Sequence, residues 1–136
     1  MFNTREKRFS AWFALLGSLL IVTPLCGFLF QCGCDWPGLG LDEACNFYKT
    51  NVLHKCPWCT SIETGIISIG LALIAAIWAS TVNYPVIALQ SSIREIIVRC
   101  SFAILMFVLI AILTAGIAAY WQAYPLGKFI EVYIVS

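Results

Sequence analysis

The sequence predicts an all-α membrane protein: three transmembrane helices, with a cysteine-rich, disulfide-stapled exoplasmic loop between the first and second. Three observations predict it. Hydrophobic residues make up 61% of the 136-residue chain and charged residues only 11%, against about 25% charged in soluble domains. Three apolar runs, Ala11 to Phe30, Ile62 to Ser80 and Phe102 to Trp121, reach about the 20 residues a helix needs to cross hydrocarbon. Five of the seven cysteines fall between the first two runs. A single membrane domain then divides into an N-terminal segment (1–9), a first span (10–31), a cysteine loop (32–60), a second span (61–81), an amphipathic segment (82–99), a third span (100–121) and a tail (122–136).

The first run follows Arg5, Lys7 and Arg8, a pattern that also describes a secretory signal. No small-x-small cleavage site follows, and Leu25 is bulky where a lipoprotein-type site before Cys26 needs a small residue. The run therefore reads as a retained signal-anchor helix. Pro24 should bend it, because proline removes a backbone donor and clashes with the preceding turn, and Thr23 is placed to compensate. Trp12 and Phe13 near one end suit an interface depth, as do Trp36, Tyr120 and Trp121 on the other side.

Orientation follows from the bias of Lys and Arg to the cytoplasmic side. The N-terminus and residues 81–99 hold Arg5, Lys7, Arg8, Arg94 and Arg99 against Glu6 and Glu95, a net +3. The cysteine loop and tail hold Lys49, Lys55 and Lys128 against Asp35, Asp42, Glu43, Glu63 and Glu131, a net −2. The N-terminus is expected in the cytoplasm, and the loop and C-terminus outside. A bacterial inner membrane is the expected location, and its outer side is oxidising, so disulfides among Cys32, Cys34, Cys45, Cys56 and Cys59 should persist there. Five cysteines leave one unpaired, with the connectivity open. Cys26 and Cys100 read as small buried hydrophobes.

In the second span Ser68, Ala72, Ala76 and Ser80 recur at four-residue spacing, and in the third Ala111, Ala115 and Ala119 do the same. Such faces let helices approach closely in lipid. Asn83-Tyr-Pro85 signals a turn. From Val86 onward the pattern suits either a helix lying on the membrane surface or an inward extension of the third span. The tail ends in a β-prone run too short to stand alone. No Asp, Glu, Lys, Arg or His lies in the middle of the three apolar runs, Glu63 standing at the very start of the second. That argues against a transporter or pump acting alone, since intramembrane ionisable groups mark ion pathways. His54 is the only histidine, which rules out bis-histidine haem ligation within one copy.

A loop of about 30 residues cannot bury a core of its own and must be stapled or covered. Disulfides are one means. Metal ligation is another: Cys56 and Cys59 form a CxxC half-site, with Cys32 and Cys34 as mates at CxC spacing and His54 as a further ligand for zinc or copper. The segment His54-Lys-Cys-Pro-Trp-Cys-Thr-Ser-Ile-Glu63 also marks a helix start. Thr60 to Glu63 matches a capping box, while a second register makes Cys56 the N-cap with Pro57 first in the helix. Only the second would activate Cys56, by placing its sulfur at the positive end of the helix.

Cys56-Pro57-Trp58-Cys59 resembles the active-site CPxC of glutaredoxins, without the βαβ pattern of a thioredoxin-like fold. In placement it is more similar to the membrane quinone-linked disulfide-generating enzymes and the vitamin K epoxide reductase family. That resemblance implies Cys56 and Cys59 as a quinone-proximal pair, Cys56 as nucleophile and Cys59 as resolving thiol. Two among Cys32, Cys34 and Cys45 would be the shuttle pair. Those families hold the quinone in a four-helix core, so three spans would need a partner subunit or a dimer.

Three functions follow as expectations. The first is a small accessory subunit of a larger cell-envelope complex, a respiratory or redox complex being one candidate, contacting lipid and either a larger membrane protein or a second copy, with the loop as the docking surface. The others are a membrane thiol-disulfide redox protein using Cys56 and Cys59, and an exoplasmic zinc- or copper-binding protein. Nothing suits nucleic acid. The expected topology is checked by protease accessibility: cleavage at Lys49 should occur in intact spheroplasts, and cleavage confined to inverted vesicles would overturn it.

Overall fold

In lipid the hydrophobic effect does not drive helices together, so association depends on how closely their backbones approach. A computed structural model of the chain describes residues 4–41, 43–51, 54–82 and 92–124, all helix, turn or loop. Three helices are long and apolar enough to span a membrane. They are α1 (Thr4–Phe30), α3 (Ile62–Thr81) and α4 (Ser92–Trp121); a single-turn helix, α2 (Pro57–Thr60), precedes α3. A short 3-10 turn over Asn46–Tyr48 is the only helical piece of the cysteine loop before α2 among the described residues.

The small-residue faces meet as their spacing predicts. Ser68, Ala72, Ala76 and Ser80 of α3 are buried, as are Ala111, Ala115 and Ala119 of α4, and these two helices form the most extensive contact. On α1 the buried positions include Ser10, Ala14 and Ser18, a third small-residue stripe at the same spacing, with Cys26 and Phe30 buried toward its end. Outward positions carry large apolar side chains such as Leu20, Ile66, Ile74 and Leu113, all exposed. The protein is therefore small inside and bulky outside, the arrangement expected where lipid is the solvent.

Alternating helix directions create two distinct ends. At one, the C-terminus of α3 meets the start of α4 through Arg99, which is only 4% exposed. Its Nη1 donates to the carbonyls of Ser80 (3.1 Å) and Val82 (2.8 Å), while Nε and Nη2 donate to Glu95 Oε1 at 2.9 and 2.8 Å. The last carbonyls of a helix have no partner within it, and this guanidinium supplies one from a neighbouring helix. Cys100, one residue on, directs its thiol at the Ser10 carbonyl (3.8 Å) and stays apart from the other cysteines.

The third helix starts at Ser92, ahead of the expected 100. Residues 92–99 thus continue the third helix, one of the two arrangements the pattern allowed. No Gly or Pro interrupts them, and Glu95 pairs with Arg99 one turn later. The turn at Asn83-Tyr-Pro85, the first half of the amphipathic segment and the tail from 125 lie outside the described residues. Helix α1 runs unbroken through Pro24. The expected compensation by Thr23 is not made, since its Oγ1 is buried without a partner.

Replacing Arg99 with Ala strands Glu95 and two carbonyls in a buried setting. The expected loss is about 3 kcal/mol, since removing one partner of a buried pair leaves the other uncompensated. Arg99→Lys should recover only part, because an ammonium lacks the planar fork. Denaturation of the detergent-solubilised protein measures both; wild-type stability in Arg99→Ala would refute this role.

Candidate functional site

At the other end three helix termini converge: the C-termini of α1 and α4, and α2 leading into α3. Helix α1 stops at Phe30 because Gln31 adopts a left-handed conformation (φ 47°), a common way to end a helix and reverse the chain. The reversal lays Cys32 back against Cys26 in the last turns of α1. Gly33, also left-handed (φ 87°), turns the chain again, so that Cys32 and Cys34 both face the same centre with sulfurs 3.3 Å apart. A β-carbon at Gly33 would collide with the Ala44 carbonyl.

Six sulfurs gather there. Cys26 Sγ lies 3.6 Å from Cys32 Sγ and 3.4 Å from Cys56 Sγ, and Cys45 Sγ lies 3.7 Å from Cys59 Sγ. Three triads, Cys26–Cys32–Cys56, Cys26–Cys34–Cys59 and Cys32–Cys34–Cys45, each keep all their sulfurs within 4.8 Å of one another. All seven cysteines of the chain are free thiols. The disulfide staple expected of Cys32, Cys34, Cys45, Cys56 and Cys59 is thus not formed here. These sulfurs share one centre, most have several neighbours, and no pair is singled out.

The cluster includes Cys26, which composition alone marked as a small hydrophobe. Its signal was its position six residues before Cys32, which becomes meaningful only once the helix ends at Phe30. Cys45 joins as well, while His54 stands apart. The His54 ring packs edge-on against Tyr124 at 6.3 Å and belongs to none of the sulfur triads.

Of the two helix-start registers at the CPWC segment, the structure uses the one at Cys56; the Thr60 capping box is not formed, because Thr60 closes α2. Cys56 is the N-cap of α2, with Pro57 first in the helix. Ser61, rather than Thr60, is the N-cap of α3 and accepts a 3.4 Å bond from the Thr64 N–H. The chain breaks between them because Ser61 is extended (φ −115°, ψ 98°). Cys56, the expected nucleophile, has its side chain fully buried among the other thiols.

Asn46 organises the inner loop. Its Oδ1 accepts the Cys56 N–H (2.9 Å), its Nδ2 donates to the His54 carbonyl (3.3 Å), and its own N–H donates to the Cys32 carbonyl at 2.6 Å. Residues 32, 46 and 56 are therefore tied together through backbone groups, independently of the sulfurs. From α4, Tyr124 Oη donates to the Phe30 carbonyl (2.6 Å) and Gln122 Nε2 to the Pro57 carbonyl (3.1 Å). The Phe30 ring sits edge-on against Trp58 (5.4 Å) and Tyr124 (5.6 Å), forming an aromatic wall beside the sulfurs.

The thiols perturb one another. Hydrogen bonds from Cys26 and then Cys56 hold Cys32 far below the ordinary thiol range, at about 2, and contacts with the same two residues hold Cys59 at about 3. Burial, the main cause, pushes Cys34 and Cys45 upward. Cys56 also rises: its contact with Cys26 lowers it, but Cys32, Cys59 and burial together outweigh that. The cluster favours some sulfurs as thiolates with neighbouring thiols as donors. Thiolate is the form that binds soft metal ions.

Two glycines allow the loop to close. A β-carbon at Gly27 would overlap the Cys34 carbonyl, and one at Gly65 would come within 2.7 Å of the Trp58 carbonyl. Gly27→Ala and Gly65→Ala should therefore push the loop and α2 off the helix ends, raising maleimide labelling of Cys32 and Cys56 severalfold. Gly70→Ala, with no atom within 4 Å of the new carbon, should leave labelling unchanged. Equal labelling in all three variants would refute this close packing. Compared with known proteins, the chain matches no family model, no curated protein and no solved structure, so the chemistry of the site rests on its own geometry.

Proposed function

We propose that this chain is an integral membrane protein that binds soft metal ions, copper or zinc, through a thiolate cluster at its exoplasmic face. The observation that carries the proposal is the convergence of six cysteine sulfurs from α1, the loop and α2, with neighbours 3.3–3.7 Å apart. Metal–sulfur bonds of about 2.3 Å put thiolates around one tetrahedral ion about 3.8 Å apart, close to this spacing. Thiolates select copper(I) and zinc over hard cations. The exoplasmic placement rests on the charge bias of the flanking segments.

The ligands expected from the CxxC and CxC spacing, Cys32, Cys34, Cys56 and Cys59, are all in the cluster. Cys26 and Cys45 extend the set. Asn46 and the aromatic wall of Phe30, Trp58 and Tyr124 would serve as the outer shell that orients ligands and limits water. The exposed apolar exterior suits lipid. It equally suits a neighbouring membrane subunit, so an accessory role in a larger complex is compatible with metal binding.

One observation favours a second reading, thiol-disulfide exchange. Cys26 and Cys56 lie 3.4 Å apart at the head of the CPWC segment, so a small movement would join them. The two readings separate on one sample. Protein purified without chelators should hold at least one copper or zinc ion per chain by elemental analysis. Cys32→Ser should remove it and Cys100→Ser should retain it. Asn46→Ala should weaken binding about 10- to 100-fold, as loss of an outer-shell partner does elsewhere. Metal-free protein in which Cys56 is trapped in a disulfide with Cys26 or Cys59, reducible at potentials above about −300 mV, would instead establish the exchange reading.

A further inference from the structure

Building on the metal-binding reading, we infer that the six thiols form a cage for several copper(I) ions at once. At full loading three ions would be bound, each by three sulfurs, with Cys26, Cys32 and Cys34 each bridging two ions. The way the sulfur triads share members carries this inference. Cys26–Cys32–Cys56, Cys26–Cys34–Cys59 and Cys32–Cys34–Cys45 meet pairwise at one sulfur each: Cys26, Cys32 and Cys34. Cys56, Cys59 and Cys45 each complete one triad. An ion centred on each triad has three ligands, and the three shared sulfurs link the ions into a closed ring.

Other soft-metal chemistries fit this pattern less well. Zinc takes four ligands in a tetrahedron, so two zinc ions on six sulfurs need two groups of four that share an edge. Here the sulfurs group in threes. Iron–sulfur clusters add inorganic sulfide between the metals and spread their cysteine ligands apart. Copper(I) is soft, has a filled d shell and accepts three thiolates. The reaction balances without any redox partner: three copper(I) ions displace six thiol protons, leaving a cage of net charge −3 and six protons in solution. No sulfur or copper changes oxidation state.

The test is an anaerobic titration of the reduced full-length protein in detergent with copper(I), in competition with a chromophoric copper(I) chelator, followed by X-ray absorption on the loaded sample. Loading should saturate at about three ions per chain. Copper–copper scattering should appear at roughly 3 Å, as for ions that share a thiolate with metal–sulfur bonds near 2.3 Å. Cys100→Ser should load like wild type. Cys34→Ser, which removes a sulfur shared by two triads, should lose more than half the capacity; the wild-type absorption spectrum tests the cage independently should that variant misfold. Saturation at one ion without metal–metal scattering, or at two zinc ions in four-sulfur sites, overturns the cage and leaves the metal-binding reading standing. Failure to retain either metal overturns both.

Discussion

The close approach of three small-residue helix faces is the constraint on which the rest of the molecule depends. In lipid, apolar side chains gain nothing by leaving hydrocarbon for one another, so helices hold together only where backbones come near enough for dense van der Waals contact. Ser10, Ala14 and Ser18 on α1, Ala72 and Ala76 on α3, and Ala111 and Ala115 on α4 provide that closeness. It also sets where the helix ends fall. Because the helices are close, their ends are close, and a loop of modest length can reach all of them.

Each end uses that proximity differently. At one, Arg99 spans the gap between α4 and the last carbonyls of α3, so a buried charge acts as a cap. At the other, the gap is filled by cysteines drawn from a helix end, a turn-rich loop and a single helical turn. The backbone there is held by Asn46, Gln122 and Tyr124, all hydrogen-bonding to main-chain groups. This division matters for the chemistry. A thiol cluster whose scaffold is held by other bonds can gain or lose a ligand at its sulfurs without losing its shape, which suits a binding centre better than a staple.

The three spans were legible because their signal is local: an apolar run of sufficient length needs no knowledge of the rest of the chain. The meeting of Ser68, Ala72, Ala76 and Ser80 with Ala111, Ala115 and Ala119 was legible for a similar reason, since four-residue spacing places residues on one helical face. The stripe on α1 went unread because Ser10, Ala14 and Ser18 lie among Trp12, Phe13 and Leu16, whose bulk dominates the local pattern. At the CPWC segment two helix-start signals competed in the sequence; the chain takes the one at Cys56 and starts the spanning helix from Ser61, one residue past the Thr60 signal.

By itself the sequence determined that three helices are long and apolar enough to span a membrane and that most thiols fall between the first two, because composition and run length decide these. Only the tertiary structure decided which thiols form the centre. Cys26 belongs to it and His54 does not, although His54 is two residues from Cys56 and Cys26 is thirty away. The reason is geometric. Gln31 and Gly33 in left-handed conformations fold the loop back onto the end of α1, and Gly27 leaves room for it to arrive. Neighbours in space are set by those turns, and spacing along the chain carries no record of them.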